Sequence, residues 1–411
     1  MRPRLPGRFL PHALLAALFV LSLAWSIPTA CLIPLPDGSD DFNSAGFVVR
    51  HSWVKFAMLA SRPLTGTPSR AEEDAMVARF FELNRLIDAE ARTGGDPASA
   101  PDAAAQARTR ERKLRDERNG IKNRVQLILE GRLTRVAKRA GLTRNAGTSL
   151  VWPPVNIEFQ DPPAVLVTSP RAEIRKESET LLQGDLPVER VQRIEADAER
   201  DGATSALVVD ISGIAMYPAI IPYDADYHYI LQDIAHEWTH HYLYFTPLGR
   251  RYFDSSKLTT LNETVANMVG RELGDMMFAA YPLAGAAPAS VAGAAPAPAA
   301  AAAPTGIDFV AEMRDLRRQV EVLLADGKVD DAERLMEERR AFLAANGYYI
   351  RKLNQAYFAF HGSYADSAGS IDPIGPKLDA LRKQSPSLKS FVERARELTS
   401  EGDLDRELLT P

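Results

Sequence analysis

Ile234-Ala235-His236-Glu237-Trp238-Thr239-His240-His241-Tyr242-Leu243 is the stretch on which the reading of this chain turns. It contains His-Glu-x-x-His, with His236 and His240 four positions apart. On an α-helix that spacing puts both imidazoles on one face, about one turn apart. Two such nitrogens can hold a zinc ion at about 2 Å and leave room for a third protein ligand and a water. Glu237, beside the first imidazole, can lean toward that water as a general base.

The surroundings support a helix. From Tyr227 to Tyr244, Ile230, Leu231, Ile234, Trp238 and Tyr242, with Phe245 just beyond, recur at threes and fours and form an apolar side. Asp224 or Asp226 supplies an N-cap, and Pro247-Leu248-Gly249 a stop. Beyond a loop comes Leu261-Asn262-Glu263-Thr264-Val265-Ala266-Asn267. A second helix, capped by Thr259 or Thr260, would bury Val265, Met268, Val269 and Leu273. Glu263, on its first turn, would then face back toward the imidazoles.

His-Glu-x-x-His followed by a Glu on the next helix resembles the gluzincin metallopeptidases, to which thermolysin and the zinc aminopeptidases belong. Asn262-Glu263-x-x-Ala266 is similar to the ligand helix of a family of bacterial zinc aminopeptidase-like proteins. The resemblance covers roughly His228 to Gly274, with a weaker echo from Leu353-Asn354-Gln355-Ala356 to Tyr364. It implies zinc ligands His236, His240 and Glu263, one zinc per chain, with Glu237 as catalytic base. Asn267 stands where thermolysin-like enzymes carry an Asp that orients a ligand histidine, so the resemblance implies a second-shell role for it. An Asn can fill that role through its carbonyl, without charge.

Composition bounds the rest. The chain has 411 residues, 45% hydrophobic and 25% charged, which is ordinary for a globular protein. A net charge of −5 gives no argument for nucleic acid as a partner. The single cysteine, Cys31, excludes an internal disulfide framework and a cysteine-based metal site. Arg2, Arg4 and Arg8 precede an apolar run, and Asp37, Asp40 and Asp41 follow it. Ala13 to Ile33 would span about 31 Å as a helix, enough to cross a bilayer. The charge bias then predicts a single-pass anchor in the cytoplasmic membrane, contacting lipid, with the N-terminus inside and the catalytic domain outside. A cleaved signal peptide and secretion is the rival expectation.

The expected organisation is a cytoplasmic start and anchor (1–36), a helical hairpin region (37–150), a catalytic core (151–283), an Ala/Pro-rich flexible loop (284–305) and a helical C-terminal part completing the cleft (306–411). Ser69 and Glu72 form a capping box at the start of the first hairpin helix. The second helix, about Ala104 to Ala140, is strongly basic, which suits the solvated face of a hairpin or contact with anionic headgroups. Val155 to Phe159, Ala164 to Val167 and Ala206 to Ile211 read as strands, while Arg171 to Leu182 and Pro187 to Arg200 read as helices. The expected fold class is α+β: a predominantly helical, zincin-like metallopeptidase domain with an N-terminal transmembrane helix and a helical hairpin.

The expected function is a zinc-dependent peptidase acting on peptides or proteins. The alternatives are a non-catalytic zinc module for stability or partner binding, and a metal-dependent hydrolase of a non-peptide amide. Gly213-Ile214-Ala215-Met216-Tyr217 reads as an edge strand that would pair with an extended substrate. Tyr357, His361 and Tyr364 share one face of an expected helix from Tyr348 to Tyr364 and are candidates for a donor to the developing oxyanion. His241 lies about 100° around the helix from His240 and is not a ligand of the same metal. His228 falls on the ligand stripe two turns early.

Overall fold

The computed structural model describes residues 40–51, 68–95, 100–145, 149–223, 226–283, 306–365 and 367–410. Two helices come first, α1 (Arg70–Gly95) and α2 (Pro101–Arg139). Ser69 opens α1 by donating its backbone N–H and its hydroxyl to Glu72, whose own N–H returns a bond to Ser69 Oγ. Arg79–Glu117 and Arg110–Glu90 pairs tie the two helices antiparallel. Of the basic residues of α2, Arg110 thus serves the hairpin itself, while Lys122 pairs with Glu158 of the strand Ile157–Phe159. Arg132 is buried, donates to Asp74 and Tyr227, and lies over the Tyr281 ring.

Among the described residues, seven strands form three small sheets. β1 (Arg144–Asn145) and β2 (Ser149–Leu150) make a hairpin. β3 (Ile157–Phe159) pairs in parallel with β7 (Ala219–Ile221). β4 (Ala164–Pro170) lies between β5 (Ser178–Leu182) and β6 (Thr204–Asp210), both antiparallel to it. Helix α3 (Val188–Ala198) covers one face of this sheet through Val191 and Ile194.

The site-bearing helices are α4 (Tyr227–Leu243) and α6 (Ser256–Ala280), joined through the short α5 (Pro247–Arg250). The chain continues with α7 (Phe309–Ala325), α8 (Val329–Ala345), α9 (Gln355–His361), α10 (Ile374–Gln384), α11 (Leu388–Ala395) and α12 (Glu401–Leu408). The main core joins the hairpin, α4, α6 and the three C-terminal helices. A second core lies among α7, α8 and Phe358, and a third joins β4 and β6 to Ala356 of α9. Trp238, at the middle of α4, is 1% exposed, and its indole N–H donates to Pro153 O at 2.9 Å. Burying a side chain of that size contributes about 2–3 kcal/mol.

The expected fold class needs correction. The described chain is mostly helical, and its strands do not join into one sheet over the motif helix. The short strand β7 packs on α4 and its partner β3 on α2, while the larger sheet serves α3 and α9. No helix among the described residues is long and apolar enough to cross a membrane, so the expected transmembrane helix is not part of the described fold. His12, Ala13 to Ile33 with Cys31, and the whole loop 284–305 lie outside the described residues.

Two further readings are corrected. Arg171 to Leu182 is not helical: its second half is β5, a polar edge strand recognised only by its pairing with β4. The helix expected from Tyr348 to Tyr364 is confined to α9. Asn354 starts it by accepting from Tyr357 N at 2.9 Å, and the chain turns at Gly362, so Tyr364 sits in the following turn. The Asn354-Gln355 echo has structural duties: Asn354 Nδ2 bonds Ala206 O, and Gln355 Nε2 bonds Arg171 O.

Candidate metal centre and active site

Asp226 caps α4 by accepting from Tyr229 N at 2.9 Å, which sets the helical phase of everything after it. Ser255, not Thr259 or Thr260, caps α6, so Glu263 falls on its second turn. The two helices run antiparallel and very close. A Cβ at Gly270 would meet the backbone of His236 at 2.9 Å, and one at Gly274 would meet Gln232 Cα at 2.6 Å. Two glycines four apart therefore let α6 press on the turn of α4 that carries the first imidazole. Glu263, about two turns before Gly270, is thereby brought level with both histidines.

The result is a converging triad. His236 Nε2 and His240 Nε2 are 3.0 Å apart, and Glu263 Oε2 lies 3.6 Å from the first and 3.4 Å from the second. A circle through these three atoms has a radius of about 1.9 Å, close to the ~2.0–2.2 Å of zinc bonds to His and carboxylate. Glu263 Oε2 is buried and has no hydrogen-bond partner, so it is free to ligate. Asn262 Oδ1 lies 2.9 Å from His240 Nδ1. That bond puts the proton on Nδ1 and turns the Nε2 lone pair toward the triad. The donor set suits zinc, and His236, His240 and Glu263 are the residues that would hold it.

Electrostatics bind the cluster. Burial works against a charge on His240, but Glu263, Glu237 and Asn262 together raise its pKa to about 9. Burial likewise opposes the Glu263 charge, yet His240, His236 and Tyr252 lower its pKa to about 2. Burial raises Glu237 to about 8, with Glu263 adding to the rise and His240 opposing it. A cation at the triad would favour the Glu237 carboxylate.

Glu237 is 4% exposed, and Gly213 packs against it so tightly that a Cβ there would meet Oε1 at 2.6 Å. The expected edge strand Gly213–Tyr217 is therefore a correction. Ile214 makes one bridge with Ile220 and the chain folds back. Met216 O is taken by His241 Nε2 at 2.7 Å, Ile214 and Met216 pack on Phe47 and Val48, and Tyr217 is buried. The hydrogen-bonding groups an extended peptide would need are thus partly engaged already. Ala215 lies in the same fold-back, so these five residues pack against the C-terminal half of α4, at Glu237 and His241, rather than forming a strand.

The three proposed donors separate. Tyr357 packs between the second and third cores, its ring 4.2 Å from that of His361. Burial alone lowers the His361 pKa to about 4, so its ring is neutral and no carboxylate acts on it. Tyr364 belongs to the site. It lines a small cavity of about 20 Å³ with Glu263, Tyr252, Glu179, Lys176, Phe360 and Ser363. Burial raises its pKa well above the usual value, and the charges of Glu263 and Glu237 add to the rise.

Sequence reading did not single out three residues. Asn262 adjoins the ligand Glu263 and was legible by adjacency. Tyr252 OH donates to Glu263 Oε1, a contact between a loop and a helix that no spacing announces. Asp233, one turn before Glu237, is 7% exposed, and its Oδ2 has no hydrogen-bond partner. Burial first, then Glu237, raises its pKa well above normal. Asn267 is buried one turn after Glu263. His228 bonds Asp275 at 2.7 Å and stacks on Phe278, outside the triad. His241, lowered to about 4 mainly by burial, faces Met216. No known protein family, curated protein or solved structure matches the chain.

Proposed function

We propose that this chain is a zinc-dependent peptidase of the gluzincin type, hydrolysing peptide bonds with Glu237 as general base. The observation that carries the reading is the convergence of His236, His240 and Glu263 on one point, with Glu237 at the next helical position. Zinc bound at such a triad supplies Lewis acidity and lowers the pKa of water toward neutrality. Glu237 takes the proton from the attacking water and passes it to the leaving amine. Asn262 holds the His240 ring in the ligating tautomer. Tyr364, which lines the cavity beside Glu263, offers its hydroxyl to the developing oxyanion. The peptide as substrate class rests on the resemblance of the motif.

One observation favours a second reading, a non-catalytic zinc module. The cavity beside Glu263 is about 20 Å³, far below the roughly 300–1,000 Å³ typical of ligand pockets. A peptidase must open this site to admit substrate.

Metal analysis paired with a peptide-library cleavage assay tests both readings. The wild type should hold one zinc per chain, His240→Ala should hold none, and cleavage should require the metal. Zinc without cleavage supports the module, cleavage of non-peptide amides alone supports the other hydrolase, and a metal-free wild type overturns all three. For the oxyanion donor, Tyr364→Phe should lower kcat by about 10²–10³ with little change in KM. His361→Ala and Tyr357→Phe should act on melting temperature instead. Equal kcat in Tyr364→Phe and wild type would place the donor elsewhere.

A further inference from the structure

We infer that Tyr252 is a positioning residue for the metal centre, holding Glu263 so that only Oε2 is offered as a ligand; this rests on the zinc reading above. The phenol donates to Glu263 Oε1, which leaves Oε2 as the oxygen facing both imidazoles. The Tyr252 backbone is itself held, because Thr259 Oγ1 donates to its carbonyl at 2.7 Å. Thr259 lies one turn before Glu263 on α6, so the same helix that carries the ligand also anchors the loop that orients it. The Tyr252 ring stands edge-on to the His240 ring at 6.1 Å, which leaves the carboxylate little room to rotate.

The chemistry follows from the geometry. A Glu side chain has three rotatable bonds, and a carboxylate can ligate through one oxygen or two. Fixing one oxygen with a charge-assisted hydrogen bond removes the two-oxygen mode and lowers the ordering cost of binding. A metal held through one carboxylate oxygen would keep more positions for water and substrate. Tyr252 thereby sets metal affinity and coordination number, whereas Tyr364, in the same cavity, is left to meet substrate.

The test uses the full chain with Tyr252→Phe and with Tyr252→4-fluorophenylalanine, which keeps the ring volume and removes only the donor. Zinc affinity is read by competition with a chelator, and the cobalt-substituted protein is read by its visible spectrum. Loss of such an outer-shell partner should weaken zinc binding by about 10–100-fold. The cobalt bands should shift as well, with the melting temperature of the metal-free protein nearly unchanged. Zinc binding within about threefold of wild type and an unchanged cobalt spectrum in the fluoro variant would overturn the role. If Tyr252→Phe unfolds, the fluoro variant still decides. A wild type that binds no zinc would overturn the metal reading itself, and is distinguishable because it appears before any variant is compared.

Discussion

Glu237→Gln should retain one zinc per chain and lose about 10²–10⁴ in kcat/KM, the range a positioned general base contributes. The exchange keeps the size and shape of the side chain, so Gly213 should still close over it. His240 is held by Asn262 and Glu263 by Tyr252, so the metal should stay. The measurement is turnover on the best peptide from the library, with zinc content and melting temperature taken on the same sample. Turnover within about threefold of wild type would assign the base to another group. Asp233, the buried carboxyl one turn earlier, would be examined next.

Gly270→Val should lower the melting temperature by about 3–10 °C, from an overpacking cost of roughly 1–3 kcal/mol. Any side chain at this position meets the His236 backbone at 2.9 Å, and helix backbone cannot move aside as a flexible side chain can. The strain is relieved only by parting α6 from α4, which separates Glu263 from the imidazoles. Zinc affinity should therefore fall together with stability, although residue 270 touches no ligand atom. Gly120→Ala is the control: a Cβ there meets nothing within 4 Å, and removing a helix glycine should stabilise by about 0.5–1 kcal/mol. A Gly270→Val protein that melts and binds zinc like the wild type would show that the two helices do not touch as described.

The motif helix was legible because helical spacing and side-chain chemistry are both local. His236 and His240 at i and i+4 must share a face, Glu237 must lie beside them, and Asp226 is the residue type that caps a helix there. The same local rules identified the capping box at Ser69 and Glu72, whose bonds involve only residues three apart. They failed at β5, where Ser178, Glu179 and Thr180 carry no apolar alternation and only pairing with β4 makes a strand. They failed again at Gly213–Tyr217, where an apolar run reads like a strand until His241 takes the Met216 carbonyl. On the shared face of Tyr357, His361 and Tyr364, periodicity alone gave no ranking. A turn at Gly362 carries Tyr364 toward Glu263 and leaves the other two in the packing.

By itself the sequence determined the ligand-bearing helix, its phase and the chemical types gathered on it, because those depend on bonds between residues a turn apart. Tertiary structure decided what that helix faces. The approach of α6 through Gly270 and Gly274 sets the 3.4–3.6 Å gaps to Glu263. The loop at Tyr252 chooses which carboxylate oxygen is free, and the fold-back at Gly213 buries Glu237. Each is a contact between segments distant along the chain, set by packing fit to a few tenths of an ångström, and spacing in a sequence carries no such measure.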